Sequence, residues 1–456
     1  MNRILAAFIL MVSITLIGCG DNATKIKPTC FGGKIINPKG KYVTLSNNKD
    51  FTDTIYLKND NTFFAKYKSI KKGLYYFEHG PEYQFIYLEP NDSLLLRLNT
   101  WDFDESLVYT GKNAERNNLL IEAFLEHEQD DKVFSKSYYS SESVFVAKID
   151  SLLLVKEEVL KNYVNKYADN SKEFLSILDI ALKYPVYTKL ERFSIKNIIK
   201  NDSLKLSDSY FDYRKKLKLK RDSLIFYGSY YRYVLEKIYN DAFLKGYSEE
   251  SEDFVVQLLH NIDEEIEDEA TKNKVLYRTI RHHFNKRVKG NLSNKAFFTF
   301  FKLNTSIEDK KNIQRLINDI KQVENNKKMM DFKLEAPTGN WVDASKIIRN
   351  KKSIIYFKDP KAKSSDWIAS RFNYLVKKYP DINFVYVNPK TKGSCFTKKI
   401  PIKYQYKLPE NSLAYNFLTS KFSRLIIVDK DNVVQNGYSN LSAYDIEEQL
   451  KELQKN

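Results

Sequence analysis

Short apolar runs separated by polar turns occupy residues 31–112. The runs are rich in Val, Ile, Tyr, Phe and Thr, and clusters such as Lys58–Asn61 and Glu89–Asp92 punctuate them. Short strands at this spacing are typical of a β-sandwich or a barrel. We predict a β-sandwich domain over residues 31–112.

The apolar period changes near Asn113. From there to about Asn325, apolar residues recur at three- and four-residue steps, as in Phe254, Leu258 and Ile262, which is the period of amphipathic helices. Pro185 interrupts this pattern, and a proline inside a helix removes a hydrogen bond, so we expect a break there. We predict an all-α region over residues 113–325, with the tyrosine-rich stretch 227–239 in its core.

The last quarter of the chain alternates apolar strand runs with helical periods. Residues 326–340 are polar and carry Pro and Gly, which predicts a linker. The apolar run Ser353–Phe357 predicts a buried strand. Residues 341–456 are predicted to form an α/β domain, so the fold class is multidomain α+β. The other predicted elements are a helix at Asp366–Tyr379, a strand at Asp381–Val387, a helix at Leu413–Phe422, a hairpin of Arg424–Val428 with Val433–Gln435, and a helix at Ser442–Leu453 opened by a capping box.

Two short motifs before the predicted strand Ser353–Phe357 carry a family resemblance. Ala336–Gly339 resembles the turn that opens membrane-anchored thioredoxin-like proteins of the TlpA type, and Val342–Ser345 resembles their next segment. The stretches Glu89–Leu98 and Tyr109–Leu120 resemble the β-rich domain that precedes thioredoxin-like domains in Bacteroidetes lipoproteins. The resemblance implies a C-terminal thioredoxin-like fold.

The residues that perform redox chemistry in that family are missing here. Alignment on Phe357 places Ala362 and Ser365 at the two positions of the family's Cys-x-x-Cys motif, and Ser423 at its cis-proline. Disulfide exchange requires a thiolate that attacks sulfur, which neither alanine nor serine supplies. A cis peptide bond is essentially restricted to proline, so a trans bond is expected at Ser423. No catalytic residue is predicted.

The same loop could still bind a ligand. The N-terminus of a helix presents free backbone N–H groups. The residues that could line an anion- or peptide-accepting spot there are Lys361, Lys363, Ser364 and Ser365. No metal site is predicted, because the adjacent pair His282 and His283 point about 100° apart on a helix and have no further ligands at suitable spacing. No cofactor is predicted.

The N-terminus has the pattern of a signal peptide over residues 1–18. Arg3 precedes the apolar run Ile4–Leu16, and Leu16–Cys19 resembles the bacterial lipobox, which implies lipidation of Cys19. The alternative is an ordinary signal peptide with a chance cysteine. Residues 19–30 are predicted to be a tether. We therefore expect a lipid-anchored protein of the bacterial envelope, on the periplasmic or surface side of the inner or outer membrane.

The remaining cysteines, Cys30 and Cys395, are free thiols or a disulfide pair, and their spacing does not decide between these. The lysines around Cys395 could lower its pKa and make it reactive.

The net charge of the chain indicates what kind of partner it would bind. The chain has a formal net charge of +16, and without residues 1–18 it has 73 Lys+Arg against 58 Asp+Glu, or +15. A basic surface favours anionic partners, but nucleic acid is a poor candidate outside the cytoplasm.

The sequence favours a redox-inactive, thioredoxin-like module that binds an envelope protein or peptide. The alternative is a divergent thiol–disulfide oxidoreductase of the TlpA type, which would use Cys395 or a partner's cysteines. A structural subunit of an envelope complex is a third interpretation, which the sequence does not separate from the first.

Overall fold

The computed structural model describes residues 28–47, 49–167, 171–200, 206–217, 224–249, 251–286, 294–360, 365–389, 396–419, 423–443 and 445–455. The chain divides into two compact units, Met1–Leu217 with Ser223–Lys237 and Lys218–Asp222 with Ile238–Asn456, named here the first and second units. Over the described ranges, no helix has the length and apolar character needed to cross a membrane. The protein is a mixed α/β structure with several sheets and a thioredoxin-like region.

The first unit contains two sheets of mainly antiparallel strands, which pack on one apolar core. Residues such as Phe31, Val43 and Phe77 from both sheets are fully buried in one cluster. The strands are β1 Thr29–Ile36, β2 Tyr42–Ser46, β3 Thr52–Tyr56, β4 Thr62–Tyr67, β5 Gly73–His79, β6 Glu82–Leu88, β7 Ser93–Asn99 and β8 Val108–Lys112. They form two sheets with the strand orders β4-β1-β7-β8 and β3-β2-β5-β6.

Two consecutive asparagines attach the first helix to these sheets. The Asn117 side chain accepts from the Tyr87 N–H at 2.7 Å and donates to the Tyr87 carbonyl at 3.0 Å. The Asn118 side chain bonds the N–H and the carbonyl of Tyr109 in the same way, both at 2.9 Å. Each amide thus pairs the free backbone groups of an edge strand, β6 or β8. The helices of this unit are α1 Ala114–Phe134, α2 Glu142–Lys166, α3 Lys172–Lys200 and α4 Gly228–Leu244, the last contributing residues up to Lys237.

The predicted helix break at Pro185 is wrong, because α3 continues through this residue. Most residues of α3 around the proline are buried, including Leu182, Tyr184 and Val186. The Thr188 hydroxyl donates to the Tyr184 carbonyl at 2.8 Å, beside the proline. The free energy gained by burying this part of the helix therefore exceeds the cost of the backbone hydrogen bond that Pro185 cannot donate. The tyrosine-rich stretch does lie in the core, where Tyr227, Tyr230 and Tyr233 are buried.

The second unit begins with helices and continues into one mixed sheet. The helices before the sheet are α5 Glu252–Glu265, α6 Glu269–Lys286, α7 Asn294–Leu303 and α8 Ile307–Gln322. The later elements are β9 Lys333–Glu335, β10 Trp341–Asp343, α9 Ala344–Ile348, β11 Ser353–Phe357, α10 Ser365–Lys378, β12 Asn383–Pro389, β13 Gln405–Leu408, β14 Arg424–Val428, β15 Val434–Ser439 and α11 Ile446–Lys455. The sheet has the strand order β10-β9-β13-β12-β11-β14-β15.

Both faces of this sheet are covered. One face packs against α10 and α11 through residues such as Phe372 and Leu450. The other packs against α9 and a short 3-10 helix at Leu413–Asn416. Strand β11 is parallel to β12 and antiparallel to β14, which pairs antiparallel with β15. This β11-α10-β12-β14-β15-α11 arrangement is thioredoxin-like.

Several predicted boundaries in this region are wrong. The helix expected at Leu413–Phe422 is a 3-10 turn that ends at Asn416. The final helix begins at Ile446, four residues after the predicted start, and the Ser442 hydroxyl donates to the side chain of Asn440 at 2.6 Å in a turn. Tyr444, inside the predicted capping box, lies outside the described residues. Strands β9, β10 and β13 were not expected; they are three or four residues long, too short to show a period.

Candidate functional site

The junction between β11 and α10 is the place where a thioredoxin-like fold carries its chemistry. Strand β11 is buried at every residue and ends at Phe357. The Lys358 N–H donates to the Val387 carbonyl at 2.9 Å, which extends the pairing with β12 by one residue. Helix α10 begins at Ser365, and its amphipathic face packs Ile368, Phe372 and Leu375 against the sheet.

Most of the residues proposed from the sequence for this site lie outside the described residues. These are Lys361, Ala362, Lys363 and Ser364, and also Cys19 and Cys395. Ser365 is the first residue of α10. Cys30 lies in β1, is partly exposed and is a free thiol. Its Sγ lies 3.8 Å from the Pro28 carbonyl oxygen, which is a weak contact.

Ser423, at the position aligned with the family's cis-proline, immediately precedes β14. Its side chain hydrogen-bonds to that of Tyr356 on the neighbouring strand β11. Burial raises the pKa of Tyr356, and the bond from Ser423 partly offsets this rise. The Tyr356 ring also packs against Tyr386, with centroids 5.4 Å apart. The serine therefore belongs to a neutral hydroxyl pair beside the junction.

A buried ion pair lies on the other face of β14, and the sequence analysis missed it. Arg424 donates through Nη2 to Oδ2 of Asp319 on α8 at 3.0 Å, and both side chains are fully buried. Asp319 Oδ1 accepts from the Thr419 hydroxyl at 2.7 Å and from its N–H at 3.3 Å. Arg424 Nη1 donates to the Phe417 carbonyl. Burial lowers the pKa of Arg424.

A sequence feature could have revealed this pair. Asp319 stands three residues after Leu316, on the helix face that also buries Ile313. A carboxylate on an apolar helix face needs a buried partner. Arg424, at the head of an otherwise apolar strand, is the matching cation.

A shallow basic groove runs along α10. It has a volume of about 470 Å³ and is lined by Lys377, Lys398, Lys399 and Lys403, together with Tyr404. The segment that carries Lys398 and Lys399 is attached to α10 in two ways. Lys399 pairs with Asp366 in the first turn of the helix, and the Lys399 carbonyl accepts from Asn373 Nδ2 at 2.8 Å.

The remaining surface of α10 near its N-terminus is partly apolar. Trp367, in the first turn, is 49% exposed. Tyr374, two turns later, is exposed and stacks between Arg371 and Lys378, whose cationic groups lie 5.2 and 5.3 Å from its ring centroid. The face therefore combines aromatic and basic groups, with no thiol among its described residues.

Searches against protein families and against curated proteins return no match for this chain. Solved structures do match it. A thioredoxin-like protein from Bacteroides caccae is 10% identical over 58% of this chain and 93% of its own, with a TM-score of 0.29. A protein proposed to be a thiol-disulfide oxidoreductase from Bacteroides vulgatus is 20% identical over 29% of this chain and 98% of its own, with a TM-score of 0.25.

A further match is a protein proposed to be the thiol:disulfide interchange protein DsbE of Chlorobium tepidum. It is 18% identical over 29% of this chain and 98% of its own, with a TM-score of 0.25. One of these three neighbours is thus a thioredoxin-like protein and two are proposed thiol-disulfide exchange proteins, and they match this chain over 29% to 58% of its length.

Proposed function

We propose that this protein is a lipid-anchored component of the bacterial envelope whose thioredoxin-like domain binds a protein or peptide and exchanges no disulfides. In this proposal, Cys19 carries the lipid, residues 31–112 form a β-sandwich, residues 113–325 form a helical region, and residues 341–456 form the thioredoxin-like binding module. The occupant of the module is an acidic segment of an envelope protein.

The basic groove along α10 is the observation that carries this proposal. Lys377, Lys398 and Lys403 are exposed, and none of the described carboxylates pairs with them. Like charges gathered in one groove raise the local concentration of an anionic ligand. The exposed Trp367 at the head of the same helix supplies an apolar contact, which peptide-binding surfaces favour.

The missing thiols support a binding role over a redox role. The stretch from Phe357 to Trp367 contains no cysteine, and the chain has cysteines only at positions 19, 30 and 395. Disulfide exchange begins with a thiolate at the helix N-terminus. The neighbouring Ser423 is bonded to Tyr356. The groups at the junction therefore suit hydrogen bonding and charge recognition.

A comparison of peptide pools tests this function. Fluorescently labelled random peptides of equal length, one pool biased to Asp and Glu and one to Lys and Arg, are titrated with the full chain at low salt. We expect the acidic pool to raise fluorescence anisotropy and the basic pool to leave it unchanged. The charge-reversed variant Lys398→Glu/Lys403→Glu should bind the acidic pool about tenfold more weakly. Each substitution removes one exposed attraction to the peptide and replaces it with a repulsion.

The variant Lys451→Glu/Lys455→Glu is the matched control. Both lysines are exposed on α11, so the net charge of the protein changes equally while the groove stays intact. Binding of the acidic pool should be nearly unchanged. Equal binding of both pools, or equal weakening by both double variants, would contradict the proposal.

One contact favours a second candidate function, a divergent thiol–disulfide oxidoreductase that uses Cys395. Thr397–Lys399 follow Cys395 in the chain, and Lys399 pairs with Asp366 in the first turn of α10. The segment after the cysteine is therefore attached at the end of the helix where redox members of the fold carry their thiols. Loss of a measurable redox activity in Cys395→Ser would support this candidate.

A further inference from the structure

A half-open cavity of about 780 Å³ lies in the first unit, far along the chain from the thioredoxin-like region. Its walls are the start of β6, the loop after β7 and the facing sides of α1, α3 and α4. Small-molecule sites in proteins typically have volumes of about 300 to 1,000 Å³. The cavity is therefore large enough for a ligand of the size of a short peptide.

One group of lining residues, named here the acidic end, consists of Asp104, Glu82 and Glu128, whose charges act on one another. Asp104 accepts a hydrogen bond from Gln84 Nε2 at 2.9 Å but has no ion-pair partner among the described residues. Burial raises the pKa of Asp104, and the negative charges of Glu128, Glu105 and Glu82 raise it further. A cationic group placed here would relieve this repulsion.

A second group of lining residues, named here the basic end, consists of Arg232 and His127, with Asp131 beside the histidine. His127 Nε2 lies 3.7 Å from Asp131 Oδ2, whereas its Nδ1 is buried and has no hydrogen-bond partner among the described residues. Burial lowers the pKa of His127 to about 4, and Lys189 and Arg232 contribute to the lowering. The imidazole is therefore neutral at pH 7 in a positive environment.

A buried polar atom without a partner costs free energy, so its presence in a cavity points to a ligand or solvent that completes its bonding. Asp131 is already engaged by Lys189. Arg232 forms no ion pair within the described part of the chain, so its charge is available to an anion. A carboxylate at this end would accept from Arg232 and, if that nitrogen carries the proton, from His127 Nδ1.

Much of the remaining lining is apolar and includes Phe85, Phe103, Phe124 and Tyr227. The rings of Phe85 and Tyr227 meet edge to face with centroids 4.9 Å apart. Such a wall favours an apolar or aromatic side chain of the ligand.

We propose that this cavity binds a zwitterionic short peptide with an apolar side chain, its ammonium group beside Asp104 and Glu128 and its carboxylate beside Arg232 and His127. The two ends carry opposite charge in the lining of one half-open cavity, whose wall also carries aromatic residues. A peptide with free termini matches this combination of two opposite charges and an apolar body.

Isothermal titration calorimetry with three related probes tests this site. The full chain is titrated at pH 7 with alanyl-phenylalanine, with its N-acetyl derivative and with its C-terminal amide. We expect saturable binding of the free dipeptide, and binding at least about tenfold weaker for each blocked form, because each leaves one charged end of the cavity unpaired.

Two variants assign the ends. Asp104→Asn should weaken binding of the free dipeptide about tenfold and leave the N-acetyl form unchanged. Arg232→Gln should also weaken binding of the free dipeptide about tenfold and leave binding of the C-terminal amide unchanged. Glu158→Gln is the control, since Glu158 on α2 is exposed and lies outside the cavity lining. Circular dichroism shows whether each variant is folded.

Three results would overturn the proposal. The first is no saturable heat with the free dipeptide on folded protein. The second is equal affinity for the free and the blocked forms. The third is a loss in Glu158→Gln as large as that in Asp104→Asn, which would indicate a general charge effect.

Discussion

The buried ion pair between Asp319 and Arg424 connects α8 to the thioredoxin-like sheet. Replacing Asp319 with leucine leaves the Arg424 guanidinium buried without its carboxylate and removes the acceptor of the Thr419 hydroxyl. Breaking a buried pair from one side costs about 3 to 5 kcal/mol of unfolding free energy. Both side chains are fully buried, so solvent cannot take over the role of the lost partner.

The double variant Asp319→Leu/Arg424→Met should recover most of this loss. Exchanging both members of a buried pair for apolar residues of similar volume is often neutral, because the desolvation cost disappears together with the attraction. The destabilisation is thus expected to come from the unpaired charge. The pair itself need add little net stability.

Urea unfolding followed by tryptophan fluorescence measures these effects in the second unit. Trp101 is the one tryptophan of the first unit, and Trp341 and Trp367 belong to the second. Trp101 is 76% exposed, so a Trp101→Phe background leaves a signal from the second unit at little cost in stability. The reasoning is refuted if Asp319→Leu costs no more than Glu324→Gln, a surface-pair control expected to cost at most about 1 kcal/mol.

Three further predictions follow from single groups. Between about pH 4 and pH 6.5, His127 is neutral in the folded protein and protonated in the unfolded chain. The unfolded state therefore binds more protons, so the free energy of unfolding falls as the pH decreases through this range. The loss of unfolding free energy between pH 7 and pH 4.5, measured by urea unfolding, should therefore be roughly 2 to 3 kcal/mol smaller in His127→Gln. A Cβ at Gly437 would lie 2.2 Å from the Val323 carbonyl oxygen, so Gly437→Ala should lower the free energy of unfolding by about 1 to 3 kcal/mol, measured by thermal unfolding. In Gly40→Ala the added Cβ would have its nearest neighbour 3.8 Å away, so this control should change the unfolding free energy little. The protein should incorporate an alkyne-labelled fatty acid in a bacterial host, and Cys19→Ser should abolish the labelling; unchanged labelling would contradict lipidation at this residue.

The thioredoxin-like region could be predicted from the sequence because its central elements have strong local patterns. The strand at Ser353–Phe357 is buried at every position, and the helix that follows has a regular apolar face. Both were predicted to within one residue. The shorter elements failed where tertiary contacts decide the conformation. Asn440 draws Ser442 into a turn, and the burial of α3 carries that helix through Pro185.

The chemistry of the candidate sites was less accessible from the sequence. Asp319 and Arg424 are separated by 105 residues, so only the packing of α8 against the sheet reveals their contact. The cavity of the first unit combines side chains from five separate parts of the chain, and none of them forms a motif by itself. His127 stands in a run of charged residues on α1, where sequence alone gives no sign of its buried Nδ1.

Insulin-disulfide reduction by dithiothreitol tests the central claim, that the thioredoxin-like domain exchanges no disulfides. The rate is measured with dithiothreitol alone, with the protein and with its Cys395→Ser variant. We expect neither protein to raise the rate above that of dithiothreitol alone. A higher rate that disappears in Cys395→Ser would contradict the claim and identify a working oxidoreductase whose thiol stands outside the usual motif.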